Sequence, residues 1–215
     1  MKKLIKLNEL KNHVFDGMSI MVGGFMVVGT PEFLIDELVK TGVKDLTIIC
    51  NDAGLPGSGV AKLITNGQVK TLIASHIGLN PEVGKLMSQG MIECILVPQG
   101  TLAERIRAGG AGLGGFLTPT GIGTVVEDGK QIINANGKDY ILELPLRADL
   151  AILEGTTVDT FGNVIYTKTT RNFNPVMATA TDLVIVGARE IVKNINPDNV
   201  MTPHIFVDYV IKEEL

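Results

Sequence analysis

Two cysteines among 215 residues, Cys50 and Cys94, are too few for a disulfide scaffold. Both sit in apolar, strand-like runs. They read as buried, reduced thiols in a reducing compartment, with neither a disulfide nor a metal role. The net charge is −4, from 19 basic and 23 acidic residues, and no basic run occurs. That excludes an electrostatic nucleic-acid partner. The three histidines, His13, His76 and His204, are scattered, and no two have metal-ligand spacing. No apolar run approaches membrane-spanning length. The apolar stretch at the N-terminus is cut by Lys6, Asn8 and Glu9, which is not the pattern of a signal peptide. The expected location is the cytoplasm. There is no internal repeat, low-complexity tract or linker, so residues 1–215 read as one domain.

What is present is apolar and regular. Apolar residues make up 45% of the chain, and its length allows a full core. Short apolar runs predict strands at Ser19–Val22, Leu46–Cys50, Thr71–Ala74, Ile92–Val97, Tyr140–Leu144, Leu150–Leu153, Val164–Thr167 and Leu183–Val186. Helical patterns cover Asn8–Phe15, Pro31–Lys40, Val60–Thr65, Pro81–Ser88, Leu102–Ala108 and Pro175–Ala180. The first half alternates β and α. This argues an α/β fold: an open, mainly parallel sheet with helices on both faces. From Gly109 to Val164 the rhythm changes to loops and short strands, which predicts a smaller mixed β subregion.

The run from Asp16 to Pro31 is the most informative. It reads as a strand, a glycine turn and a helix start. Gly23 and Gly24 lack Cβ atoms, so a ligand can approach the backbone there. Thr30 fits a helix N-cap and Pro31 the first helical position. The helix carries Phe33, Leu34, Leu38 and Val39 on one face and ends at Gly42. Free N–H groups at such a turn suit a phosphate or carboxylate. Two further glycine motifs fail their context. Gly110, Gly112 and Gly115 form a G-x-G-x-x-G, but a helix precedes it and Thr118-Pro119-Thr120-Gly121 follows. Gly78 to Lys85 misses P-loop spacing by one residue. The glycine-rich segment 107–123 is expected to be a mobile flap over a site.

Two polar residues follow strands in the same way. Asn51 ends Leu46–Cys50, at the carboxyl end of a parallel strand where ligands collect. Gln99 follows Ile92–Val97, with Thr101 as the expected cap of Leu102–Ala108. The Gln99 amide both donates and accepts, which suits holding a carboxylate. His76, after Thr71–Ala74, reads as a packing histidine. Glu32, Glu37 and Glu104 read as solvated helix faces.

These segments together resemble the family I coenzyme A transferases. The signature is Asp16-Gly17, an apolar triplet, Gly23-Gly24-Phe25, three variable residues, Gly29, one residue and Pro31. Pro98 to Gly110 resembles the α-chain helix that edges the active site. Thr118-Pro-Thr-Gly121 and Arg171-Asn-Phe-Asn-Pro175 are further matches, and the resemblance runs from about Asp16 to Ala180. Pro175 after the Asn-Phe-Asn triplet is similar to the α subunits of the bacterial acetate/butyrate–acetoacetate enzymes. The resemblance implies that Gly23, Gly24, Phe25, Met26, Val27, Val28 and Gly29 belong to the coenzyme A site. It places Asn51 and Gln99 near the catalytic carboxylate and the acyl group.

The family nucleophile is a glutamate in a Glu-Asn-Gly or Glu-His-Gly setting on the β chain. No glutamate here has that context; Glu154-Gly155 and Glu127-Asp128-Gly129 come nearest. The resemblance therefore implies half a site, completed by a β subunit, in a heterotetramer or larger even assembly. It implies ping-pong transfer between acyl-CoA and short-chain carboxylates, with coenzyme A as substrate, no permanently bound cofactor and no metal. Two other classes fit an α/β chain: a sugar-phosphate isomerase, which needs an acid/base pair within this chain, and a regulatory domain that binds CoA esters without chemistry. A co-purifying partner with the glutamate motif separates both from the transferase.

Overall fold

The computed structural model describes residues 3–214. Its main sheet contains β1 (Ser19–Val22), β2 (Leu46–Ile49), β3 (Val69–Ala74), β4 (Glu93–Leu96), β8 (Ala148–Asp159), β10 (Thr181–Val192) and β11 (Tyr209–Lys212). The spatial order is β11-β10-β8-β1-β2-β3-β4, and every neighbouring pair is parallel. Short β9 (Val164–Ile165) adds antiparallel to β8. A second sheet is antiparallel, β5 (Phe116–Thr118), β7 (Lys138–Glu143) and β6 (Ile132–Ala135) in the order β5-β7-β6. This matches the mainly parallel α/β architecture with a smaller β subregion. Among the described residues no helix is long and apolar enough to cross a membrane.

Strand alternation divides the core between the two faces. Ile20, Val22, Ile48, Leu150 and Ile152 pack on one face with Leu34, Leu38, Leu63 and Val83. These last four come from α1 (Glu32–Thr41), α2 (Ala61–Thr65) and α3 (Pro81–Ser88). Met21, Ile49, Ala151 and Leu153 pack on the other with Leu102, Ile106 and Met177. Those helical residues belong to α4 (Gln99–Gly110) and α5 (Asn174–Met177). Apolar side chains on both faces explain why β1 and β2 read as continuous apolar runs.

Several expectations change. β8 and β10 are twelve residues each and stay in register from Thr181↔Ala148 to Val192↔Asp159. The sequence pattern shows only their apolar centres, because Gly155, Thr156 and Thr157, and Gly187, Arg189 and Glu190, interrupt it. Residues 7–13 form a 3-10 helix rather than an α-helix. β4 is an edge strand with Ile95 and Leu96 exposed, so Cys94 is only half-buried, whereas Cys50 is buried. Burial pushes the Cys50 thiol well up, with Asp52 and Cys94 adding to it. Pro31, not Thr30, is the cap position of α1, since its ψ of 74° is not helical. The helix does end at Gly42, in the left-handed region at φ 71°. α4 opens at Gln99 after Pro98, which places Thr101 inside the first turn rather than at the cap.

The glycine-rich segment packs tightly at its helical start. A Cβ on Gly109 would lie 2.2 Å from the Leu146 carbonyl oxygen, and one on Gly110 would lie 2.0 Å from Thr179 Oγ1. Both glycines are helical residues of α4, and the chain beyond them enters β5. Arg105 on α4 donates from Nε to the Leu144 carbonyl at 2.9 Å, and its own carbonyl accepts from Leu146 N at 2.8 Å. Beyond α4, Gly115 and Gly121 are also close to neighbours, but a Cβ on Gly112, Gly114 or Gly123 would meet nothing within 4 Å and most residues from 111 to 125 are exposed, so the segment is docked at α4 and largely open beyond it.

Candidate active site

β1 lies between the two wings of the sheet. The strands in this order all stay parallel, but the order in which they are added reverses at β1, β2 to β4 on one side and β8, β10 and β11 on the other, so the carboxyl end of β1 borders the crevice where α/β proteins bind ligands. Three strands deliver polar side chains to this level. Asn51 follows β2 and is 2% exposed. Ser75 follows β3. Gln99 opens α4 after β4 and is exposed.

Ser75 joins the other two. Its N–H donates to the Asn51 carbonyl at 2.9 Å. Its hydroxyl lies 2.8 Å from the same oxygen and 3.3 Å from Asn51 Oδ1, and it also donates to Gln99 Oε1. Asn51 and Gln99, both expected site residues, are thus brought together through one serine. Asn51 Nδ2 has no acceptor among the described residues. Ser75 was not singled out from sequence. Its signal was positional: it is the first residue beyond β3, as Asn51 and Gln99 stand beyond β2 and β4. Next to it, His76 is exposed rather than packed in the core, and its carbonyl accepts from Ala53 N at 3.1 Å.

The loop from Gly23 to Gly29 borders the same level. Phe25 and Val28 exchange backbone bonds at 3.0 and 2.9 Å, closing a two-residue hairpin turn. The turn residues Met26 and Val27 have φ of 46° and 62°. For a β-branched valine that is a strained conformation, which must be held by its surroundings. Asp52 Oδ2 accepts from Met26 N at 2.8 Å. Asn172 Oδ1 accepts from Gly24 N at 3.1 Å, and Asn172 Nδ2 donates to the Val28 carbonyl at 2.9 Å. Asn174 Nδ2 donates to the Gly29 carbonyl at 2.9 Å. Phe25, Met26 and Val28 project into solvent.

This geometry corrects the reading of the glycines. A Cβ on Gly23 would lie 1.8 Å from Asn174 Oδ1, one on Gly24 1.9 Å from Thr30 Oγ1, and one on Gly29 2.9 Å from Thr170. The missing side chains make room for the protein's own residues. The N–H groups of Gly23, Gly24, Phe25, Met26 and Val28 already have protein acceptors, so they are not free for a phosphate. The cavity beneath the loop is about 10 Å³, room for no more than a water molecule. A larger cavity of about 250 Å³, lined by Arg105, Lys130, Leu142 and Glu143 among others, opens under the small sheet and shares no lining residue with the crevice.

The glutamates weighed from the sequence have partners. Glu32 accepts from Gly59 N at 2.7 Å and pairs with Lys62 at 2.7 Å, so it braces α1 against α2 rather than facing only solvent. Glu37 pairs with Lys40, and Glu104 with Arg107. Glu154, only 4% exposed, lies 2.7 Å from Arg189 Nη2. Burial pushes its carboxyl up and Arg189 pulls it down, with the net direction upward.

Fold and crevice define an α/β protein that presents amide and hydroxyl groups at the carboxyl ends of a parallel sheet. The model of the family described as "Coenzyme A transferase" matches residues 6–213, and the chain belongs to that family. It is 51% identical over 211 residues to the acetate CoA-transferase subunit alpha of Escherichia coli, covering 97% of this chain and 96% of the relative. It is 52% identical over 213 residues to the acetoacetyl-CoA:acetate/butyrate CoA transferase alpha subunit of Clostridium acetobutylicum, covering 98% of each. A solved acyl-CoA transferase from Escherichia coli, in a thioester complex with CoA, shares the fold at TM-score 0.85 and 24% identity. That likeness covers 98% of this chain and 47% of the other, so the chain spans about half of it.

Proposed function

We propose that this chain is the α subunit of a short-chain acyl-CoA:carboxylate coenzyme A transferase. It works in the cytoplasm, as one domain, with a β subunit that carries the nucleophilic glutamate. The observation that carries this reading is identity above one half, over almost the full length, to two chains named as alpha subunits of such enzymes. The pair of amides at the crevice supports it, because neither amide is a nucleophile.

The chemistry is covalent and ping-pong. The partner's carboxylate attacks the thioester carbonyl and expels the CoA thiolate, leaving a mixed anhydride. The thiolate then attacks the glutamyl carbonyl of that anhydride. The first acid leaves as its carboxylate, and a glutamyl–CoA thioester remains. The incoming carboxylate reverses these steps. Each addition places negative charge on a carbonyl oxygen, which preorganised donors stabilise. Asn51 Nδ2 and the Gln99 amide are the donors this chain offers. Gly23 to Gly29 form the wall for coenzyme A, and its contact atoms are the exposed Phe25, Met26 and Val28 rather than the glycines. Coenzyme A is a substrate here, and no bound cofactor is required. Acetate, butyrate and acetoacetate are the acids this reading favours, in an even α/β assembly.

The test is an assay of the purified chain with acetoacetyl-CoA and acetate, repeated with the β subunit added. Turnover should appear only with the partner. Robust turnover by the isolated chain overturns the two-chain reading.

A further inference from the structure

Ser75 stands between the two amides and no role has been given to it. Its hydroxyl is the shared contact of a residue following β2 and a residue opening α4, two positions that are otherwise joined only through the sheet. We propose that Ser75 is a positioning residue for the transferase site: its hydroxyl holds the oxygen of the Gln99 amide, so that the Nε2 protons face the crevice. The proposal rests on the transferase reading above.

The argument is one of donors and acceptors. Gln99 is exposed at the first turn of a helix, so without a partner its amide would sample either orientation. Which end of an amide faces outward is decided by the hydrogen bond at the other end. A serine proton directed at Oε1 leaves both Nε2 protons unspent. That presents a donor where negative charge develops in each addition step. Ser75 is itself held in place. Its N–H is fixed on the Asn51 carbonyl at 2.9 Å, and its hydroxyl lies 2.8 Å from that same oxygen. One hydroxyl proton therefore serves the Asn51 carbonyl and Gln99 Oε1 as a three-centre contact. When the hydroxyl is removed the Asn51 carbonyl keeps its bond from the Ser75 N–H, so the loss falls on Gln99.

The experiment is a double-mutant cycle on the co-expressed complex, with Ser75→Ala, Gln99→Ala and the pair. Ser75→Ala should lower kcat about tenfold with KM for the acyl-CoA and the melting temperature little changed. In the Gln99→Ala background it should add almost nothing, and Ser75→Thr, which keeps the hydroxyl, should recover most of the rate. Wild-type kcat in Ser75→Ala overturns the proposal. So does an equal loss in both backgrounds, since Ser75 would then act without Gln99. A second readout needs no activity: the Gln99 side-chain amide proton signals of the isolated chain, identified by their loss in Gln99→Ala. They should move and exchange faster in Ser75→Ala, and unmoved signals reject the contact. If the wild-type complex shows no transfer, the transferase reading fails, and the amide signals still decide the contact.

Discussion

On one side of β1, the strands β2, β3 and β4 are four to six residues long and stop where Asn51, Ser75 and Gln99 begin. On the other side, β8 and β10 run for twelve residues each and are joined along their whole length. The short wing ends in the amide and hydroxyl groups of Asn51, Ser75 and Gln99. The long wing is spent on support: Glu154 on β8 donates its N–H to Asn174 Oδ1 at 3.1 Å, and Asn174 in turn holds the hairpin loop through Gly29. The loop of strained residues is therefore pinned from both wings, by Asp52 from one and by Asn172 and Asn174 from the other. The difference teaches that substitutions in the long wing should act through stability, and substitutions in the short wing through rate.

The largest effect tests the support. Asn174 is fully buried, and its amide serves Glu154 N, the Gly29 carbonyl and the Thr170 carbonyl. Asn174→Ala leaves three backbone groups without a partner, each at about 1–3 kcal/mol. The expected loss is about 3 kcal/mol or more, which lowers the melting temperature by roughly 6 °C or more for a chain of this size. Thermal melting of the chain checks it. An unchanged melting temperature breaks the comparison, because the loop would then not depend on the long wing.

Asp159 closes the far end of β8. Its carboxylate accepts from Phe161 N, Gly162 N, Asn163 N and Asn163 Nδ2 at 2.9–3.0 Å, and from Ile195 N at 3.3 Å. Burial alone would raise its pKa, but hydrogen bonds from Asn163, Ile195 and Phe161 outweigh it and hold the group below the ordinary range. A lowered pKa means that its stabilisation is present above the unfolded value and is lost as pH falls through the folded one. Asp159→Asn should cost about 1.5–3 kcal/mol at neutral pH, with the difference from wild type shrinking in acid. Denaturant melts across pH measure this, and kcat of the surviving complex should stay at the wild-type value.

The short wing was also the legible one. Ser19–Val22 and Pro81–Ser88 follow their apolar patterns to the residue, because local propensity and tertiary burial agree there. The long wing was not legible, because pairing with a neighbour keeps Glu154–Thr157 and Gly187–Glu190 extended against their own preferences. Gly187 shows the limit clearly. It reads as a strand breaker, yet a Cβ there would lie 2.7 Å from the Phe33 ring, so the strand needs glycine to pass under α1. In the site, Asn51 and Gln99 were marked by following apolar strands. Ser75 escaped because a lone serine carries no chemical signature until its neighbours are placed. The glycines of the loop were found for a ligand and turn out to be shaped by Asn174, Thr30 and Thr170.

Gln99→Ala probes the short wing directly. One neutral hydrogen bond lost at the crevice should reduce kcat by about ten- to a hundredfold, at about 1–3 kcal/mol, while KM changes less. Gln99 is exposed, so the melting temperature should hold. Steady-state kinetics of the co-expressed complex, with melting as the control, separates the two. Normal kcat would make Gln99 an ordinary surface residue and remove the functional half of the comparison.

The smallest effect is the sharpest in sign. Glu154 and Asp159 lie five positions apart on β8, and their pKa values move in opposite directions. Burial raises that of Glu154, Arg189 opposes it, and Glu213 and Glu32 add to the rise. A raised pKa means that the favourable contribution is present below the unfolded value and is lost as pH climbs through the folded one. Glu154→Gln removes that dependence. It also removes the pair with Arg189, but the Arg189 side chain is 57% exposed, and a pair with so open a partner is worth about 1 kcal/mol or less. The variant should therefore match wild type in mild acid, where Glu154 is protonated and neutral like glutamine, and should equal or exceed it as pH rises to neutrality and above. Asp159→Asn should show the reverse slope. Melting both variants beside wild type at about pH 5 and about pH 8 brackets the ordinary carboxylate and neutral ranges. Parallel slopes in the two variants would mean that the buried acids of the long wing share one environment, and that its support does not divide into a desolvated carboxyl near the loop and a hydrogen-bonded one at the strand end.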